Sequence, residues 1–306
     1  MKVLVTGGSG RAGEYIMAEL AANGHICINA DMAPPKSTSH DSGALFQKVD
    51  FTDYGQTVAV MKGVDAVIHM AAIPAPNIDA EHTVFRVNML SNWNVLEAAE
   101  LYGIEKIVMA SSINAVGAGW GADLFVPEYF PVDAAHPTRV QDAYSQSKWL
   151  GEQMADAFCR RRPGLQIASM RFHALWDPAT AENHMKQGDK TTTSGRNAMG
   201  FWSWVGRHDA ARACRLAIEK DFGGHEAFFI NAKDTVLEIP TEEAIRREYG
   251  KVTYKRPLPD FTSPLDITKG KELLDWEPME SWREGTVRKP EGAKHDRPQY
   301  VAPWTR

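Results

Sequence analysis

The sequence predicts a doubly wound, parallel α/β sheet carrying a smaller C-terminal lobe. Three observations lead there. Short apolar runs alternate with helical patterns along most of the chain, which is the rhythm of βαβ units. The first run, Val3-Leu4-Val5-Thr6, passes directly into Gly7-Gly8-Ser9-Gly10-Arg11-Ala12-Gly13, a glycine-rich turn ahead of a helix. Much later, Tyr144-Ser145-Gln146-Ser147-Lys148 sets a phenol and an ammonium one helical turn apart on one face.

The elements follow in order. Val3–Thr6 reads as a strand and Gly13–Asn23 as an amphipathic helix closed by Asn23-Gly24. Ile26–Ala30 and Leu45–Val49 are the next strands, with a short helix at Tyr54–Met61. Ala66–Met70 is a buried strand, and Thr83–Tyr102 a long helix ended by Gly103. Lys106–Ala110 is a strand, Tyr144–Arg161 a long helix stopped by Pro163-Gly164, and Ile167–Arg171 a strand. Residues 173–200 then lose the periodicity. A helix at His208–Glu219 and a strand at Ala227–Asn231 return to the main sheet. Pro240–Tyr249 and Thr268–Leu274 read as helices, and 286–306 as a polar, proline-rich tail. The expected division is a main lobe of residues 1–172, joined by 201–232, and a smaller lobe from 173–200 and 233–306.

The bulk numbers narrow the class. A chain of 306 residues with 43% hydrophobic content can bury a large core. A net charge of −5 without a basic stripe argues against nucleic acid. The run Arg160-Arg161-Arg162 falls at a helix end, where it complements the dipole. Cys27, Cys159 and Cys214 form no CxxC pair, which predicts reduced thiols in a cytoplasmic compartment. The first strand begins within a few residues of Met1, so no signal peptide is expected. No apolar run reaches the ~20 residues of a membrane span. His69, His82 and His208 lack HxxxH or HExxH spacing, so no metal site is expected.

The glycine turn predicts a dinucleotide site. Gly7 permits the tight turn, Gly10 lets phosphates approach, and Gly13 lets helix and strand pack closely; Arg11 and Ala12 lie in the same loop. Asp31, at the end of the second strand, is placed to accept from an adenosine ribose. Its charge would repel a 2′-phosphate, favouring NAD, although Arg11 could neutralise such a group in NADP. Met70-Ala71-Ala72 offers small residues against which a cofactor can lie. A free phenol is a poor base at neutral pH, and a nearby cation lowers its pKa; Lys148 is expected to do this for Tyr144.

These motifs, in this order, resemble the extended short-chain dehydrogenase/reductase superfamily, which includes the NAD-dependent epimerase/dehydratase proteins. The glycine spacing matches its TGxxGxxG form, and the likeness runs through roughly the first 235 residues. The resemblance implies a Rossmann sheet and a Ser/Tyr/Lys set for hydride exchange with NAD. It implies that Asp50 and Phe51 hold adenine and that Asn88 braces the active-site backbone. It aligns Ser112, ahead of Ser111, with the serine that holds the substrate oxygen, beside Tyr144 and Lys148. It also implies a homodimer in which Thr83–Tyr102 and Tyr144–Arg161 form a four-helix bundle, with Trp93 and Trp149 as possible anchors.

The substrate is less clearly written. Nucleotide-sugar epimerases of the superfamily carry Arg-Tyr-Phe-Asn and a glycine turn where this chain has Arg171-Phe172-His173-Ala174. The sequence is similar in this respect to uronate dehydrogenase relatives, which oxidise free sugars or sugar acids. Candidate substrate contacts are Ile73, Ser112, Asn114, His173 and Arg196, whose guanidinium could fork onto a carboxylate. Trp202 and Trp204 could face a sugar ring or fill the core. The expected function is an NAD-dependent oxidoreductase acting on a small sugar, sugar acid or polyol. A nucleotide-sugar 4-epimerase or dehydratase is the alternative, and a non-catalytic NAD-binding regulator the third reading.

Overall fold

The computed structural model describes residues 1–35, 44–121, 123–176, 180, 183, 193–194, 196–281 and 283–284. Most of the 173–200 segment and the 286–306 tail thus lie outside the described residues.

The central sheet has seven strands: β1 (Lys2–Thr6), β2 (Ile26–Asp31), β3 (Leu45–Lys48), β4 (Ala66–His69), β5 (Lys106–Ser112), β6 (Gln166–Phe172) and, after a small pair, β9 (Gly224–Ile230). The small pair is β7 (Leu175–Trp176) with β8 (Val205–Gly206). Spatial order in the large sheet is β3-β2-β1-β4-β5-β6-β9, and every pairing is parallel. The order reverses between β1 and β4, and a crevice opens at such a switch point beyond the strands' carboxyl ends.

Local chemistry sets the helix ends. Helix α1 (Gly13–Ala22) closes at Asn23, ahead of Gly24 at φ +79°. Helix α2 (Tyr54–Met61) is capped by Asp53, whose side chain accepts from Gln56 N. Helix α3 (Glu81–Tyr102) ends on left-handed Gly103. Helix α4 (Ala143–Arg161) starts at Asp142, which accepts from Ser145 N. Four further helices follow: α5 (Arg196–Met199), α6 (Arg207–Glu219), α7 (Thr241–Tyr249) and α8 (Thr268–Leu274).

The sheet is covered on both faces. Leu20 of α1 joins Val3, Ile68 and Met170 of the sheet with Ala213 and Cys214 of α6. On the opposite face, Leu4, Val67 and Ile107 meet Met61 of α2, Leu96 of α3 and Phe158 of α4. A third core gathers Ile113, Phe130, Phe201 and Trp202 around Ile245 of α7. Phe201 and Trp202 hold φ at +57° and +52°, a conformation that costs on the order of 1–2 kcal/mol per residue. Complete burial of both rings in that core offsets the cost.

Most element boundaries match the periodicity. The clearest difference is β5, which runs on to Ser112 where the apolar pattern suggested an end at Ala110. Its pairing with β6 continues through Ser111 opposite Arg171 and Ser112 opposite Phe172. Neighbour hydrogen bonding carries the strand beyond its apolar stretch.

Candidate active site

A cavity of about 800 Å³ lies along the carboxyl ends of β1, β2, β4, β5 and β6. Its near end is a cradle of backbone. Gly7 sits at φ +65°, and a Cβ there would lie 2.8 Å from Ala71 N. A Cβ on Gly13 would strike the Gly7 carbonyl oxygen and stand 2.6 Å from Gly8 Cα. At Gly10 a Cβ would meet only the Gly7 carbonyl oxygen, at 3.1 Å. The loop is thus compact behind and open in front, above the first turn of α1, as a pyrophosphate requires. Arg11 and Ala12 line the same stretch, with Arg11 exposed at the rim.

Asp31 lines the cavity and accepts from Ser9 N at 3.1 Å, which ties it to the glycine loop. Asp50 and Phe51 line it too. Asp50 Oδ1 accepts from Thr52 N and Thr52 Oγ1, and the Phe51 carbonyl accepts from Asn94 Nδ2. Met70, Ala71 and Ala72 form the floor. Ala71 N donates to Thr6 Oγ1 at 3.0 Å, and the same hydroxyl shares a hydrogen bond with His69 Nδ1, 2.7 Å away. Burial, reinforced by the Lys148 charge, pushes His69 down to about 3 and keeps it neutral.

Asn88 stands apart from the other cofactor candidates. It is buried behind the cavity wall and is not among the lining residues. Its Oδ1 accepts from Ile73 N at 2.8 Å, while Nδ2 donates to the Ile73 carbonyl and to Ser147 Oγ. It ties α3 to the Ile73 backbone and to α4. A helix-interior amide satisfied in this way braces a loop that it does not expose.

At the centre, Ser112, Tyr144 and Lys148 meet on the wall. Ser112 ends β5, and Tyr144 and Lys148 share one face of α4. Ser112 Oγ donates to Asn114 Oδ1 at 2.6 Å and accepts from Asn114 N at 3.2 Å. Lys148 Nζ donates to the Ala110 carbonyl at 2.7 Å and lies 5.6 Å from the Tyr144 ring centre. Burial raises the Tyr144 phenol to about 12, while hydrogen bonding with Ser112 pulls the other way. In this geometry desolvation outweighs the other influences on the phenol. Burial also brings Lys148 down to about 8, and the charge of Glu152 opposes that fall.

Glu152 was not singled out from sequence. It repeats the spacing of Tyr144 and Lys148 one turn further along α4. Ser111 and Ser112 both line the cavity, but the Ser111 hydroxyl turns to Glu152, with Oγ donating to Oε1 at 2.6 Å.

The far wall is made of other materials. His173 lines it, but both ring nitrogens are engaged. Nδ1 accepts from Ala174 N at 2.6 Å, so Nε2 carries the proton and donates to the Gly200 carbonyl at 2.7 Å. Burial holds this ring down to about 4. His173 is thus a neutral strut and has no nitrogen left for a substrate hydroxyl. Asn114 differs, because its buried Nδ2 has no hydrogen-bond partner. The bare Cα of Gly119 makes room for it, since a Cβ there would lie 2.8 Å from that nitrogen.

Of the two roles open to Trp202 and Trp204, the structure takes the core one. Both are 1% exposed or less. Trp204 stacks on Trp176, with centroids 5.5 Å apart, and donates to Asp234 Oδ1. Trp176 and Trp120 are the tryptophans on the cavity wall, with Arg207 and Thr180. Pairing of β7 with β8 brings Trp176 there, a contact that local sequence does not signal. Ile73 lines the wall at the end that Asn88 braces. Arg196 opens α5, and its side chain lies outside the described residues.

The model of the NAD dependent epimerase/dehydratase family matches residues 3–230. The chain belongs to that family. A putative UDP-glucose 4-epimerase of Methanocaldococcus jannaschii is 33% identical, across 94% of this chain and 96% of that protein. The L-arabinose 1-dehydrogenase (NAD(P)(+)) of Haloferax volcanii is 27% identical, across 71% of this chain and 82% of its own. Among solved structures, the Thermotoga maritima UDP-glucose 4-epimerase with UDP-glucose superposes with a TM-score of 0.69 at 25% identity, covering 94% of this chain and 97% of that one. Family membership and the glycine cradle agree on NAD as the cofactor. Among the described residues, no helix is long and apolar enough to cross a membrane.

Proposed function

We propose that this protein is a dehydrogenase that uses NAD to oxidise one hydroxyl-bearing carbon of a free sugar, sugar acid or similar polyol. The observation that carries the reading is the meeting of Ser112, Tyr144 and Lys148 on the cavity wall, beside the Met70-Ala71-Ala72 floor. Bound NAD supplies the two-electron acceptor. Ser112 Oγ holds the substrate oxygen. With NAD bound, Tyr144 Oη acts as the phenolate that takes the hydroxyl proton, and returns it in the reverse direction. Lys148 Nζ, anchored on the Ala110 carbonyl, presents positive charge below the phenol and holds the nicotinamide ribose. Asn114 Nδ2, a buried donor without a partner, suits a second substrate hydroxyl.

The remaining assignments belong to the same reading. Gly7, Gly10, Arg11, Ala12 and Gly13 take the pyrophosphate, Asp31 the adenosine ribose, and Asp50 and Phe51 the adenine. The negative charge of Asp31 favours NAD over NADP. Residues 1–172 and 201–232 form the cofactor lobe, and 173–200 with 233–306 the substrate lobe. The free-sugar class is supported by His173, which closes the end of β6 where nucleotide-sugar epimerases carry an asparagine and glycine turn. The reading extends to a cytoplasmic homodimer formed through α3 and α4. Exposed Trp93 and Leu101 on α3 support that face, and Trp93 packs edge-on against Phe158 of α4.

The Methanocaldococcus relative favours a second reading, a nucleotide-sugar 4-epimerase. NADH absorbance separates the two, with purified protein, NAD and a panel of uronic acids, aldonic acids, aldoses and UDP-sugars. NADH accumulating with a free sugar class establishes the dehydrogenase. Interconversion of a UDP-sugar by chromatography, without NADH, establishes the epimerase.

A further inference from the structure

Behind the reacting wall lies a second group of polar side chains, of which Ser111 reaches the cavity lining while Glu152 and Arg171 lie behind it. Glu152 of α4, Arg171 of β6 and Ser111 of β5 are each 6% exposed or less. Arg171 Nε donates to Glu152 Oε1 at 2.9 Å and Nη2 to Oε2 at 2.7 Å, a two-pronged pair. Ser111 Oγ adds a third donor to Oε1 at 2.6 Å. The guanidinium is fixed further by the Ala134 carbonyl, 3.1 Å from Nη1, and by the Phe229 ring, 5.2 Å away. The carboxylate is therefore held on three sides, in one place.

A buried ion pair is weak evidence for stability, because apolar residues of equal volume often serve as well. Its position is the informative feature here. Glu152 lies one helical turn beyond Lys148 on the same face of α4, as Lys148 lies one turn beyond Tyr144. Lys148 is itself buried, and burial drives an ammonium toward its neutral form. We propose that Glu152, clamped by Ser111 and Arg171, is a positioning residue that keeps Lys148 charged at the reacting centre. Ser111 also couples the clamp to Ser112, its neighbour on β5. The proposal rests on the dehydrogenase reading only for what Lys148 does to substrate.

The other groups packed around Lys148 leave this task to Glu152. Tyr144 on α4 is a buried phenol raised to about 12, and so neutral. His69 on β4 is neutral, held near 3. From β5 come the Ala110 carbonyl, which accepts from Nζ, and next to it in the strand the hydroxyls of Ser111 and Ser112, none of them charged. Arg171 on β6 is a cation turned onto Glu152. Among the described residues, the Lys148 pKa of about 8 owes its upward pull to Glu152.

The test reads the Lys148 titration without any substrate. The full-length protein is labelled with trace acetic anhydride across a pH series, and modification of the Lys148 peptide is followed by mass spectrometry. In Glu152→Gln, half-protonation of Lys148 should move to lower pH by about one unit or more, the effect of one nearby charge. Glu152→Asp should restore most of the shift. Glu152→Gln with Arg171→Met leaves no lone buried charge, so it guards against a single variant that fails to fold. It too should lower the titration. An unchanged Lys148 curve in a folded variant overturns the proposal. If wild-type protein turns over none of the sugars offered, the labelling result still stands, and only the substrate reading fails. Once a substrate is known, the alkaline limb of kcat should move with the labelling curve, with KM for NAD little changed.

Discussion

The two ends of the cavity are built by opposite means. At the glycine loop the site is made by leaving side chains out: Gly7 and Gly13 stand where a Cβ would strike backbone. At the far wall it is made by side chains that reach across the fold. His173 bonds Gly200, and Trp176 stacks on Trp204. The first construction is local and tolerates almost no addition. The second is assembled from distant segments, and its parts can be exchanged as long as the struts survive. A common cofactor with divergent substrates is the expected consequence of that division.

Four changes would break or sharpen this contrast, from the largest effect to the smallest. Tyr144→Phe strikes the centre, where the two constructions meet. Turnover should fall by about 10²–10⁴-fold, the usual worth of a positioned acid–base group. NAD affinity, measured by fluorescence titration, should stay within about twofold, because the cradle is elsewhere. Retained turnover would remove Tyr144 from the mechanism. Gly13→Ala tests the cradle itself. One added methyl against the Gly7 carbonyl should cost about 1–3 kcal/mol in denaturant unfolding and weaken NAD binding. If the variant binds NAD normally, the loop is not the rigid backbone device described above.

Asp31→Ala removes a side chain from the otherwise backbone-built end. NAD binding should weaken by about tenfold, the lower end for a hydrogen bond to a charged group. NADP binding should change less, since the lost charge also repelled the 2′-phosphate. Equal losses for both would detach Asp31 from the ribose. The smallest effect belongs to His173→Asn at the far wall. His173, held near 4, binds fewer protons folded than unfolded between about pH 4 and 6.5. Stability therefore rises with pH through that window and is lost as pH falls. The asparagine variant should show a shallower decline in melting temperature from pH 6.5 to 4. An unaltered slope would mean that the His173 strut does not titrate as its burial implies.

The same contrast explains what could be read before folding. The strand, glycine turn and acid at Asp31 are contiguous or nearly so, and each has one physical reason to be there. Tyr144 and Lys148 were visible because helical spacing fixes their relation. Glu152 lay on that same stripe and was passed over, since a lone carboxylate on a helix reads as solvated until Arg171 is known to face it. The tryptophans were ambiguous for a similar reason. Sequence left Trp202 and Trp204 open between a sugar-facing and a core role, and the positive-φ turn at Phe201 and Trp202 decides it by swinging Trp202 into the third core. Trp176 reaches the wall through β7 and β8, whose pairing joins residues about thirty apart. His173 was rightly located at the cavity, yet the occupation of both its nitrogens depends on Ala174 and Gly200 together.

The packing of α1 bears on how the chain is made. Its apolar side, with Ile16, Met17 and Leu20, rests against Ala210, Ala213, Cys214 and Ala217 of α6. Those residues leave the ribosome some two hundred positions after the glycine loop. A nascent chain that has reached only Phe172 carries every residue assigned to the cofactor, but the helix beneath the loop is still bare on one side. A piece cut at Phe172 would therefore expose that apolar side of α1 to water.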